Sequence, residues 1–146
     1  MVEHGFTADG SALPRPHGVL TLRTDFRADG APWYETAVTA YYADTGGLMA
    51  VAVDALRGPQ VFVDGDALIG RPPSHVTEEL HARAQARGLL PGFSVEGDAS
   101  SHELGLPVRA QRAGDALLTR AFFTGPFAHW AGTVHDCVPS HEWHIR

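Results

Sequence analysis

Hydrophobic and polar positions alternate through residues 18–26, GVLTLRTDF, where Leu20 and Leu22 face one way and Thr21 and Arg23 the other. A period of two belongs to a strand buried on one face. Ala28-Asp29-Gly30 follows, and Asp and Gly accept the dihedrals of a tight reversal. WYETAVTAYYA at 33–43 is aromatic and β-branched and reads as a second strand. Asp44-Thr45-Gly46-Gly47 turns the chain again, and LMAVAVDAL at 48–56 is apolar enough for a central strand. Gly58-Pro59 breaks that run, and QVFVD at 60–64 makes a fourth strand closed by Asp64-Gly65. Strands joined by such turns form an antiparallel meander. Residues 1–16 carry Gly5, Gly10, Pro14 and Pro16 without a period and are expected to be an irregular N-terminal arm.

The period then changes. After Pro72-Pro73, the stretch 74–87 (SHVTEELHARAQAR) places Val76, Leu80 and Ala84 on one face at four-residue spacing. This predicts an amphipathic helix with Ser74 as N-cap, its hydroxyl taking a free amide of the first turn. Glu78 and Glu79 lie toward the positive end of the helix dipole, Arg83 and Arg87 toward the negative end, and Glu79 and Arg83 stand four apart in the favourable order. Gly88 suits the left-handed position that ends a helix.

Beyond a loop containing Gly97-Asp98, the strands ELGLPVRAQ (103–111) and ALLTRAFF (116–123) flank Arg112-Ala113-Gly114-Asp115, a second hairpin. Pro107 cannot donate to a ladder, which puts the first of these strands at an edge or puts Pro107 near its end. GPFAHWAGT (125–133) reads as an aromatic loop, VHDCV (134–138) as a short last strand, and PSHEWHIR as a tail packed through Trp143. The fold class is therefore α+β: an antiparallel meander sheet, open or barrel-like, with one main helix packed on it.

Length and charge narrow the functional classes. The 146 residues make a single domain, 1–146, and 44% hydrophobic with 19% charged residues is a globular composition. A formal net charge of -6 argues against a non-specific nucleic-acid binder and against attachment to anionic lipid. No apolar run approaches the roughly 20 residues that span a bilayer. All eleven basic residues are arginine, with no lysine and no asparagine, which is codon bias of a high-GC genome, as in actinobacteria, and not a phosphate-binding signature. A lone cysteine, Cys137, and a polar N-terminus favour a cytoplasmic location.

Chemistry-bearing side chains concentrate late in the chain. His102, His129, His135, His141 and His144 are five of the nine histidines, and His135 and Cys137 fall on one face of the expected last strand. The types suit zinc, but the spacing is not that of a finger, a ribbon or an HExxH helix, and no metal site is expected. His135 or His141 could activate Cys137, against the commoner fate of cysteine as a small buried hydrophobe. Asp64, Asp66 and Asp98 adjoin turn glycines, where carboxylates stabilise the backbone locally. Nucleotide-cradling loops and the G-x-S-x-G elbow are absent from the sequence. Trp33-Tyr34 and Tyr41-Tyr42 are adjacent pairs, and on a strand each would turn one ring inward and one outward.

In layout, residues 60–146 resemble the immunity proteins of polymorphic toxin systems, through VFVDGDALIG, SHVTEELHARAQARG, ELGLPVRAQRAGDALLTR and the ending CVPSHEW. Residues 1–59 are not covered, and no functional residue carries over. The resemblance implies a cytoplasmic protein that plugs a toxin's active site. An acidic face can steer onto a cationic partner, which makes Glu78, Glu79, Asp64, Asp66 and Asp98 the contact candidates, with Tyr41 or Tyr42 as anchor. The alternative is a small cofactor-independent enzyme, a cyclase, isomerase or hydrolase acting on a small molecule between sheet and helix. Its candidates are His135, Cys137, His141, Asp136 and Tyr42. A homodimer joined through the aromatic strand is the third expectation.

Overall fold

Strand β1 (Phe6–Pro14) stands where glycine and proline suggest an irregular arm. It is specified by its neighbour and not by its own period: every residue from Phe6 to Pro14 pairs antiparallel with β2 (Leu20–Ala28), in register from Phe6↔Ala28 to Pro14↔Leu20. Pro14 is the last residue of this edge strand, a position that needs no donor. The structure, a computed structural model, describes residues 6–14, 20–43, 45–93, 99–101 and 104–124.

The second expected strand is shorter than its sequence suggests. Strand β3 (Val38–Tyr42) begins only after a turn at Pro32–Glu35, closed by the Glu35 amide on the Pro32 carbonyl at 3.0 Å. Trp33 and Tyr34 therefore sit in a turn and not in the sheet. Strand β4 (Leu48–Val53) follows as expected. Gly58 then makes a corner that only glycine fits, because a Cβ there would lie 2.3 Å from Val53 Cγ1 and 2.5 Å from the Asp54 carbonyl oxygen.

The segment 60–64 does not join the main sheet. Strands β5 (Phe62–Val63) and β6 (Asp66–Ala67) form a separate hairpin. Its two turn residues, Asp64 (φ 51°) and Gly65 (φ 91°), are both left-handed, the signature of a type I′ reversal. The Gln60 side chain completes its base, accepting from the Ile69 amide at 2.8 Å and donating to the Ile69 carbonyl at 3.1 Å. These local bonds hold the hairpin against its own chain and leave the place beside β4 free for a later strand.

Helix α1 (Pro73–Ala86) forms where the 3.6-residue period puts it. Ser74 is not its N-cap: the helix starts two residues earlier than that cap would set, with Pro72 at the cap position and Pro73 inside, where proline's fixed φ and missing amide fit the first turn. Its end follows the expected pattern. Gly88 (φ 68°) donates to the Gln85 carbonyl at 2.9 Å and Leu89 to the Ala84 carbonyl at 2.8 Å, a Schellman closure.

Strands β7 (Gly92–Phe93), β8 (Ala99–Ser101), β9 (Leu106–Ala113) and β10 (Ala116–Thr124) complete the chain's described part. Pro107 lies near the start of β9, opposite the short β8. The main sheet has the order β1-β2-β3-β4-β10-β9-β8-β7, all antiparallel, and does not close into a barrel. Two meanders thus meet at β4 and β10, and the crossover between them carries the small hairpin and α1. This is the α+β architecture that the pattern implies.

Helix α1 lies on β8, β9 and β10. Its stripe of Val76 (0% exposed) and Leu80 (7%) packs with Val53, Leu68, Ile69, Leu106, Val108 and Ala121. Each such side chain contributes about 1.5–3 kcal/mol by leaving water. The helix is pinned at its start by fully buried Thr119, whose hydroxyl donates to the Leu68 carbonyl and accepts from the Arg71 amide. Alternation along β10 sends Phe122 to the opposite face, where it meets Tyr41, Ala50 and Ala52. On that face Arg109 and Arg120 stand opposite each other across β9 and β10, both buried, with the Arg109 guanidinium 5.3 Å from the Phe122 ring centroid.

Candidate functional site

The second half of α1 turns two arginines, one turn apart, toward the β5–β6 hairpin. Arg83 donates to the Val63 carbonyl at 2.5 Å and pairs with Asp66, and it lies 3.6 Å from Asp64. Arg87 donates to Asp64 at 2.7 Å. The type I′ turn projects both carboxylates toward the helix, so hairpin and helix are joined by ion pairs. Asp64 and Arg87 are each about half exposed (55% and 50%), which makes their pair a solvated and exchangeable one.

Hairpin, helix and β8 enclose an open groove of about 490 Å³, within the size range of small-ligand sites. Val63, Leu80, Ala84, Leu89, Leu90 and Leu104 supply apolar walls. Asp64, Arg83 and Arg87 supply its charged groups, and Ser100 and Ser101 of β8 line it as well. Leu89, Leu90 and Leu104 are exposed, Leu90 to 91%. Three exposed leucines thus gather at one concavity.

One turn back, Arg71 grips Glu79 with both guanidinium nitrogens, at 2.6 and 2.7 Å. These hydrogen bonds hold the Glu79 carboxyl below its ordinary value, burial opposing them and the charge of Arg71 adding to them. The expected pairing of Glu79 with Arg83 does not form, because Arg83 is drawn to the hairpin and Arg71 reaches Glu79 from before the helix.

The acidic contact face expected of Glu78, Glu79, Asp64 and Asp66 is thus largely neutralised: three of the four carboxylates face arginine, and exposed Glu78 has no ion-pair partner among the described residues. Tyr41 does not serve as a surface anchor. It is 4% exposed and packs edge-on against Phe122, with ring centroids 6.2 Å apart. Tyr42 is half-buried between Leu22 and Leu48, beside a register shift in β3, and is not part of the groove. The exposed rings are Trp33 (80%) and Tyr34 (64%), set at 86° to each other. His135, Cys137, His141, Asp136 and Asp98 lie outside the described residues, as do the expected last strand and tail.

Sequence reasoning assigned Arg83 and Arg87 to the helix dipole, and Arg83 to a pair with Glu79, but neither to a site. Their signal as site residues was their spacing: four apart, beside the Leu80–Ala84 stripe, they border the apolar face and do not oppose it. Among the described residues, no group of three or more His, Cys, Asp or Glu could hold a metal ion, and no helix is long and apolar enough to cross a membrane. No protein-family profile, curated protein or solved structure matches this chain.

Proposed function

We propose that this chain is a binding protein that takes its ligand in the groove between α1, the β5–β6 hairpin and β8. The observation that carries the reading is the groove's composition: six apolar side chains around one concavity, beside the charged groups of Asp64, Arg83 and Arg87. Apolar walls give affinity and a few polar groups fix orientation, which is the usual division of labour in a ligand site. The neutral dye Nile red should bind and brighten in the wild-type protein. Ala84→Trp, which fills the groove from the helix, should abolish the signal, and a signal that survives would place the dye elsewhere.

Inhibition of a protein toxin in the immunity manner is a second reading, favoured by Trp33 and Tyr34. These two rings and exposed Leu56 occupy neighbouring loops joined by the Arg57–Glu35 pair at 3.4 Å. Exposed Trp and Tyr are the residue types that dominate protein contacts. In that reading the loop end of the sheet, and not the acidic side of α1, meets the partner.

A further inference from the structure

We propose that the groove's ligand is a small amphiphile with an anionic head, and that Asp64 holds the place of that head. The inference rests on the groove being a ligand site and names the class of ligand. The argument begins with charge. An apolar trough is indifferent to the sign of its occupant, but this one has both of its lining cations, Arg83 and Arg87, on the same helix face. Carboxylate partners for both, Asp64 and Asp66, come from a hairpin that makes no ladder with the main sheet.

The two arginines have different tasks. Arg83 is the more buried of the two and is engaged with the Val63 carbonyl and with Asp66, which fixes the hairpin to the helix. Arg87 stands further out, half exposed, and Asp64, one of its partners, is equally solvated. A solvated pair is worth little, and an incoming carboxylate can replace Asp64 on Arg87 without uncovering a buried charge. The ligand's apolar body would lie along Leu80, Ala84 and Leu104 while its head meets Arg87. A cationic head would face the arginine, and a neutral head would gain nothing from it. The volume of about 490 Å³ and the walls on three sides suit a small molecule better than a flat protein surface.

The test is displacement of Nile red by decanoate, decanol and decyltrimethylammonium, which share one tail and differ in the head. Decanoate should displace the dye at about tenfold lower concentration than decanol, the size of one charge-assisted hydrogen bond. The cation should be the weakest of the three. Arg87→Gln should remove the advantage of decanoate while leaving decanol unchanged, and the decanol result shows that the groove is intact in the variant. Asp64→Asn, which keeps a residue tolerant of the left-handed turn, should strengthen decanoate and not decanol. Equal displacement by decanoate and decanol, or a preference for decanoate that persists in Arg87→Gln, overturns the anionic-head proposal and leaves the ligand site standing. If none of the three displaces the dye, or if displacement is unaffected by Ala84→Trp, the site itself is refuted and this proposal with it.

Discussion

At the scale of single residues, arginine decides how the helix is used. With no lysine in the chain, the ion pairs among the described residues are made by guanidinium groups, whose planar fork suits two-point contact with a carboxylate. Arg71 shows this at Glu79, and the direction of the Glu79 shift sets a pH dependence. A carboxyl whose folded value lies below its unfolded one stabilises the fold above the ordinary 4.5 and loses that contribution as pH falls through the folded value. Glu79→Gln should therefore lower stability at neutral pH, by less than about 1 kcal/mol because both partners are partly solvated. The difference from wild type should vanish in acid and shrink with added salt, as urea midpoints across pH would measure. A constant difference down to the acid end would assign Glu79 a packing role instead. The aromatic residues show what a single sequence conceals. Tyr41 and Tyr42 divide one ring inward and one half-covered, as strand alternation requires. Trp33 and Tyr34 escape the rule, because Pro32 opens a turn before the strand begins.

At the scale of elements, legibility tracks how local the determining interactions are. Helix α1 was readable because stripe, proline entry and glycine exit all lie within its own residues. Only the cap was misplaced, by two positions, since Pro73 is a better first helical residue than Ser74 is a cap. The β9–β10 hairpin was readable for the same reason. Strand β1 was not, because its ladder is dictated by β2, and neither was the separation of β5–β6 from the sheet, which depends on the Gly58 corner and the Gln60 side chain. That corner gives a sharp prediction. Gly58→Ala drives a methyl into Val53 and the Asp54 carbonyl, which are parts of a strand end that cannot yield. Overpacking of this kind costs about 1–3 kcal/mol, so the thermal midpoint should fall by several degrees. Wild-type stability in that variant would mean that the β4–β5 corner is soft. The candidate site was half legible. The helix face and the turn carboxylates stood in the sequence, but their union across the groove required the hairpin to fold back on α1.

At the scale of the whole molecule, the two meanders are unequal. Those strands that lie under α1 share with it the buried Leu106 and Val108, whereas β3 and β4 meet mainly through alanines and Leu22 of β2 is 45% exposed. Cooperative stability should follow apolar burial. Amide hydrogen exchange should run fastest in β1 and β2 and slowest in β9 and β10. Equal protection in both halves would show that the sheet opens as one unit. Chain order along the sheet was the part least visible beforehand, because β4 finds β10 and not β5, and no residue of β4 announces so distant a partner. Among the described residues, the same order leaves the sheet with rims of different length, nine residues on β1 against two on β7. Unpaired backbone on a rim is a template for another chain. Two copies joining rim to rim through β1 would each use up the only long template among the described residues, and the two-residue rim of β7 is too short to recruit a third. Any polymerisation by strand addition would accordingly stall at the pair instead of growing into a fibre.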